Sequence, residues 1–209
     1  MSDIKKKLNY IAIIPARKNS KRLVNKNLLK INGKKMFNYT LQAALNCNKI
    51  DKILISTDIT TLIKKNNKKV FHINRPKNLC QDHCSTESAI KHAVNFFFKH
   101  DKREIKNIIL LQPTSPFRDS IEIKKAINEF EKKKLDTMFS AYRDKLTIWK
   151  KNKKLQPISY SLKRRVRSQF TNDLIIENGA IYIFKKNGFD NFNNRLFGKI
   201  GVFFMSKPK

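Results

Sequence analysis

The feature that most constrains this chain is a rhythm of short, wholly apolar segments, each closed by a polar cluster and followed by a helical pattern. Tyr10–Ile14 is such a segment and ends at Pro15. Lys52–Ser56 ends in Ser56-Thr57-Asp58, and Val70–Ile73 precedes Arg75-Pro76. Asn107–Leu111 ends in Gln112-Pro-Thr-Ser-Pro116, and Thr137–Ala141 is a fifth segment of the same kind. Strands apolar on both faces belong to sheets covered on both faces. The intervening stretches read as helices over Asn38–Leu45, Thr60–Lys65, Ser88–Lys99 and Ser120–Lys133. Ala89, Ala93, Phe96 and Phe97 share one face of the third helix, and Ser120 is read as the N-cap of the fourth, with Glu122 in its first turn. Strand–helix alternation predicts an α/β fold with a mostly parallel sheet.

After Tyr142 the rhythm changes. Leu146–Trp149 and Lys154–Ile158 read as a hairpin turning at Lys151–Lys153, followed by a basic stretch and strands at Ala180–Phe184 and Gly201–Met205. No linker divides the chain and no internal repeat is visible. Residues 1–209 are therefore read as one domain, with 142–180 as an inserted lobe.

Composition removes several classes. The 46 Lys+Arg against 16 Asp+Glu give a net charge of +30, yet 40% of residues are hydrophobic, so the chain is not a disordered polycation. No apolar run approaches the ~18 residues that span a bilayer, and no secretory signal is recognisable, so a cytoplasmic location with three free thiols is expected. The lysines are spread along the whole chain beside abundant asparagine, and no nucleic-acid-reading motif accompanies them. Nucleic acid is accordingly not the expected partner, although a basic nucleic-acid binder remains an alternative. The charge favours small anionic ligands.

In open parallel sheets, ligands bind beyond the carboxyl ends of the strands. The clusters after the first, second and fourth strands should meet there. Arg17, Lys21, Lys26 and Arg118 would then line a cationic pocket suited to a polyphosphate, with Asp58 placed to hold a magnesium ion. Neither a Walker A loop nor a glycine-rich dinucleotide fingerprint is present in the sequence. A charged loop without a ligand is the plain alternative.

Five blocks in order sharpen this reading: Ile13-Ile-Pro-Ala-Arg-x-x-Ser-Lys-Arg22 with Lys26-Asn27; Ile55-Ser-Thr-Asp58; Arg75-Pro-x-x-Leu-x-x-Asp-x-x-Ser-Thr86; Leu110-Leu-Gln-Pro-Thr-Ser-Pro-Phe-Arg118; and Glu177-Asn-Gly-Ala-Ile-Tyr-Ile183. Together they resemble the acylneuraminate cytidylyltransferase family, the CMP-sialic acid synthetases and their bacterial relatives acting on legionaminic or pseudaminic acid. The resemblance implies a Rossmann-like sheet of the nucleotide-diphospho-sugar transferase type, working as a homodimer through the lobe. It implies transfer of CMP from CTP to a nonulosonic acid, with release of pyrophosphate and help from magnesium, in cell-surface glycan synthesis.

Matched by position, Arg17, Ser20, Lys21, Lys26 and Asn27 form the nucleotide loop, with Arg17 and Lys21 on phosphate charge. Arg75 and Ser85 fall on the cytosine and ribose side, Gln112 on the attacking sugar, and Asn178 and Tyr182 on the acyl-sugar side. Asn178-Gly179 could equally shape a turn, and Tyr182 could be core. The family's Arg-Gln pair is displaced here to Arg167-Ser168-Gln169, so Arg167 and Gln169 are assigned to the sugar, with Arg165 an alternative to Arg167. The family's aspartate-bearing metal segment is expected just beyond Met205, where this sequence stops; a truncated or inactive CTP-binding relative is one alternative. A cytidylyltransferase for the eight-carbon keto-sugar acid of lipopolysaccharide is another.

Overall fold

The computed structural model describes residues 7–18, 25–63, 66–151, 154–163 and 174–206. The chain opens with strand β1 (Leu8–Ala16), a single 3-10 turn at Lys26–Leu28, and a minimal hairpin of β2 (Lys30–Ile31) and β3 (Lys34–Lys35). Helix α1 (Met36–Asn46) and strands β4 (Lys52–Thr57) and β5 (Val70–Asn74) follow, then α2 (Thr86–Asp101), β6 (Ile105–Leu110) and α3 (Ser120–Lys132). The second half holds β7 (Thr137–Asp144), the hairpin β8 (Trp149–Lys151) and β9 (Leu155–Pro157), the long strand β10 (Leu174–Lys185), α4 (Lys186–Phe192) and β11 (Ile200–Phe204).

Seven strands form one sheet in the order β11-β7-β10-β6-β1-β4-β5. All its pairings are parallel except those of β10, which runs antiparallel to both β6 and β7. The mostly parallel α/β architecture is thus the one expected. Successive side chains of a strand face opposite ways. On β1, Ala12 and Ile14 join one core with Phe37 and Ala44 of α1 and Ile123 and Ile127 of α3. Ile11 and Ile13 join the other core with Ile90, Ala93 and Phe97 of α2 and Phe189 of α4.

Several expectations shift in detail. The cap of α3 is Asp119, not Ser120: its carboxylate accepts from the Glu122 amide at 2.7 Å while Glu122 accepts from the Asp119 amide at 3.2 Å. The Thr60–Lys65 helix is reduced to one 3-10 turn over Thr60–Leu62, with residues 64–65 outside the described residues. Phe96 lies at the margin of its core, stacked on His100 at 4.5 Å. The strand read at Ala180–Phe184 is the last part of β10 and extends back to Leu174. The β7–β10 pairing shifts register between Glu177 and Tyr182.

The last β6–β10 pair is Leu110 with Tyr182, whereas β7 and β10 stay paired out to Asp144 and Leu174. A two-stranded ribbon therefore projects beyond the carboxyl edge of the sheet. The predicted hairpin of the lobe is present as a three-pair ladder, with Trp149 edge-on to Tyr160 at 5.8 Å. Among the described residues, no helix is long and apolar enough to cross a membrane. Cys47, Cys80 and Cys84 are free thiols.

Candidate active site

The tips of β1, β4, β5 and β6 meet at the carboxyl edge, and the start of α2 faces the same place. Thr57 at the end of β4 donates its hydroxyl to the Ala16 carbonyl at 2.5 Å, tying two strand tips together. Beyond that tie the chain enters the Arg17 loop, which is held from two sides. Asn27 donates its side-chain amide to the Arg17 carbonyl at 2.8 Å, and Asp58 accepts from the Lys18 amide at 2.7 Å. The Arg17 guanidinium reaches across to the Cys80 carbonyl at 3.2 Å and to Asp82 at 2.9 Å. Asn27 is itself buried, so its amide shapes the loop from within.

Arg75 follows β5 and is buried. It donates to the Ser56 hydroxyl at 3.0 Å and the Ser56 carbonyl at 2.8 Å. Burial lowers its affinity for the proton from the usual arginine value. Burial first, then the nearby Asp58 charge, pushes the Cys80 thiol up to about 11, so it is neutral at physiological pH. Ser85 caps α2, accepting from the Ser88 amide at 3.1 Å. The first amides of that 16-residue helix, which begins at Thr86, carry partial positive charge.

These elements enclose a cavity of about 210 Å³ whose lining includes Arg17, Lys26, Asn27, Arg75, Ser85 and Gln112. Six of the residues expected to gather from separate parts of the sequence thus surround one space. Lys21 and Ser20 lie outside the described residues, as do Arg165, Arg167 and Gln169. A larger groove, about 740 Å³, opens at the opposite edge of the sheet between Tyr10, Lys49, Lys106, Glu131, Lys134 and Lys185.

Other expected residues are placed differently. Arg118 is not part of the cationic pocket: it is 3% exposed and turned inward, onto main-chain carbonyls and Thr40. Tyr182 is in the core and absent from the cavity wall; its hydroxyl donates to Glu177, and the Arg195 guanidinium lies 4.6 Å over its ring. Asn178 spends its side chain on the strand irregularity. Its carbonyl oxygen accepts from the Ser140 hydroxyl at 2.6 Å and the Ala180 amide at 3.0 Å. At Gly179, φ +70°, a β-carbon would stand 3.6 Å from the Gln112 amide oxygen. The turn-forming alternative for Asn178-Gly179 therefore describes what these atoms do.

Asp58 stands beside the cavity with one oxygen committed to the Lys18 amide. Among the described residues, no group of three or more His, Cys, Asp or Glu gathers as a metal site. Among the described residues, Asp58 is the foothold that the cavity's edge offers a hard cation.

Sequence reasoning missed the pairing of Arg17 with Asp82 and the position of Cys84, Gln81 and Thr86 in the cavity wall. The Ser85-x-x-Ser88 spacing was a signal for the helix start, which lies earlier than the Ser88 read from apolar periodicity.

Strand tips converging on a basic cavity at the carboxyl edge of such a sheet define an α/β protein with a ligand-sized site where open parallel sheets hold their ligands. The comparisons agree and go further. The cytidylyltransferase family matches residues 11–200, and the chain belongs to that family. It is 34% identical over 188 residues to the N-acylneuraminate cytidylyltransferase of Escherichia coli O18:K1:H7, covering 84% of this chain and 42% of that protein. It is 29% identical to the pseudaminic acid cytidylyltransferase of Campylobacter jejuni serotype O:23/36, over 64% of this chain and 58% of that one. The chain spans about half the length of these curated relatives. Among solved structures, CMP:2-keto-3-deoxy-manno-octonic acid synthetase complexed with CTP shares the fold, with a TM-score of 0.65 at 17% identity over 94% of this chain and 90% of that one.

Proposed function

We propose that this chain carries a cytidylyl-transfer site that activates a nonulosonic, sialic-type acid with CTP. The observation that carries the reading is the meeting of Arg17, Lys26, Asn27, Arg75, Ser85 and Gln112 around one cavity at the strand tips. In the reaction, the anomeric hydroxyl oxygen bonds to the α-phosphorus of CTP. The α–β phosphoanhydride bond breaks, pyrophosphate leaves, and the hydroxyl proton is released. Such chemistry depends on holding the two anions in line and stabilising developing charge.

Arg17 is assigned to the triphosphate, exchanging Asp82 for phosphate when nucleotide enters; Lys21 and Lys26 add charge, and Ser20 and Asn27 fix the loop. Arg75 and Ser85 are assigned to the nucleoside, with Arg75 acting through its grip on Ser56. Gln112 is assigned to the sugar, with Arg167 and Gln169 supplying further sugar contacts from the lobe. Asn178 and Tyr182 shape that side from behind the surface. Magnesium would be held by Asp58 together with phosphate oxygens, where it would neutralise charge on the leaving pyrophosphate.

The same reading makes the molecule a cytoplasmic homodimer. Trp149, Leu155, Ile158, Leu162 and Ile175 leave a set of exposed apolar side chains on the lobe and its ribbon, and such surfaces mark contact sites. The residues 142–180 are assigned to that contact.

The test is pyrophosphate release from CTP in the presence of neuraminic, legionaminic or pseudaminic acid. Release with one of them and not with the eight-carbon keto-sugar acid is expected. Release with the eight-carbon acid alone would move the function to the lipopolysaccharide branch, and none with any acid would remove the activity.

A further inference from the structure

The guanidinium of Arg118 is a buried cation with no direct ion pair: among the described residues no carboxylate lies within ion-pair distance of it, and Glu122 acts on it only at longer range. Nη1 donates to the Ala180 carbonyl at 2.5 Å and to the Gln112 carbonyl at 3.3 Å. Nη2 donates to the Thr40 hydroxyl at 2.9 Å, and Nε is buried without a partner. Burial pushes the group down to about 10, which leaves it charged at neutral pH. Taking an unpaired cation out of water is costly, so a fold that keeps one gains something an apolar side chain could not supply.

What it gains is visible in the ladder. Regular β6–β10 pairing stops at Leu110 and Tyr182. Beyond that point the Gln112 carbonyl accepts from the Ser115 amide at 3.3 Å within its own turn, and a single nitrogen of Arg118 bonds both it and the Ala180 carbonyl, bridging the two segments where the ladder has ended. Ser115 makes a second, longer link between the same segments, its hydroxyl 3.5 Å from the Asn178 carbonyl. Thr40 fixes the guanidinium to α1.

We propose that Arg118 is a positioning residue that clasps the Gln112 loop to the Asn178–Gly179 corner of β10, and so sets where the Gln112 amide meets the sugar acid. The clasp rests on the cytidylyl-transfer reading for its consequence but not for its geometry. It acts on one substrate only. Arg17, Arg75 and Ser85, assigned to the nucleotide, are held by Cys80, Ser56 and the α2 start.

The experiment pairs Arg118→Lys, which keeps the charge and loses the planar fork, with Thr40→Val, which removes only the Nη2 acceptor. Hydrogen–deuterium exchange is followed over 111–116 and 177–181, and steady-state kinetics with both substrates. In Arg118→Lys, both segments should exchange faster together. kcat/KM for the sugar acid should fall roughly ten-fold while KM for CTP stays within about two-fold. Thr40→Val should move the same readings less. Faster exchange in one segment alone overturns the clasp. So does loss shared equally by both substrates, or a lowered melting temperature with unchanged kinetics per folded molecule. If Arg118→Lys does not fold, Thr40→Val carries the same decision. A wild-type protein that turns over no sugar acid would refute the functional reading, while the exchange pattern would still judge the clasp.

Discussion

The two edges of the sheet differ in a way that volume alone misrepresents. The groove at the amino edge is the larger, about 740 Å³ against about 210 Å³. Its charges answer one another: Glu131 accepts from Lys49 at 2.7 Å and from the Tyr10 hydroxyl at 3.1 Å, and Lys185 pairs with Asp136 at 2.8 Å. Pairs built from exposed lysines contribute little and adapt freely. At the carboxyl edge Arg17 and Arg75 are held by backbone carbonyls and the Ser56 hydroxyl, with an ion pair to Asp82 added at Arg17 alone. A site is recognised by preorganised, convergent polar groups rather than by room.

That contrast can be broken by experiment. Arg17→Ala should lower CTP affinity roughly 10- to 100-fold, the worth of about 1.5–3 kcal/mol for a charge-assisted bond. Lys106→Ala in the amino-edge groove should leave it within about two-fold. Equal losses by calorimetry would erase the distinction between the edges. Gly179→Ala should cost about 1–2 kcal/mol in urea unfolding, because φ +70° is unfavourable for a residue with a β-carbon. An unchanged midpoint would show that the corner relaxes. Asp119→Ala removes the cap of α3 at the same edge and should cost about 1 kcal/mol; no shift in melting temperature would make that capping box decorative.

The smallest effect belongs to the amino edge. The Asp136 carboxyl is held below its usual range by the Lys185 hydrogen bond and the Lys199 amide. A depressed native value means that the contribution is present above the unfolded pKa near 3.8 and fades as pH falls through the native one. Asp136→Asn should therefore destabilise by under about 1 kcal/mol at pH 7, since the pair is well exposed. The gap from wild type should narrow in melting curves as pH falls below 3.8 and close once the native carboxyl is protonated. A gap that persists there would mean that shape, not charge, is at stake beside Gly198.

How much of this the sequence discloses follows from what each residue depends on. The β1, β4 and β6 strands are legible because Ile11–Ile14, Ile53–Ile55 and Ile108–Leu110 are buried on both faces, and burial writes itself as unbroken apolar letters. Cavity residues at strand tips are legible because topology, not fine packing, brings them together. Helix α4 is not, since Lys186-Asn-Gly-Phe is poor in helix formers. It is held by Phe189 in the core and by Phe197 lying so close over Gly188 that a β-carbon there would stand 2.0 Å from the ring. The β2–β3 hairpin was too short to show a strand period, its two pairs closing on Asn32-Gly33 with both residues at positive φ. Arg118 was misplaced because an arginine beside a strand tip looks the same whether it faces solvent or the interior. Only the position of the Gln112 and Ala180 carbonyls decides that, and a main-chain acceptor leaves no mark in a sequence.

The reversed strand β10 has a mechanical consequence. One unbroken length of chain is anchored among β6 and β7 at one end and forms half of the projecting ribbon at the other, with the Gly179 corner between them. A push on the outer arm travels along one strand to the corner where the β7–β10 register shifts, and Arg118 links that corner to the Gln112 loop. Changes accumulated in the arm over evolution could thus retune what the fold accepts without redrawing its floor.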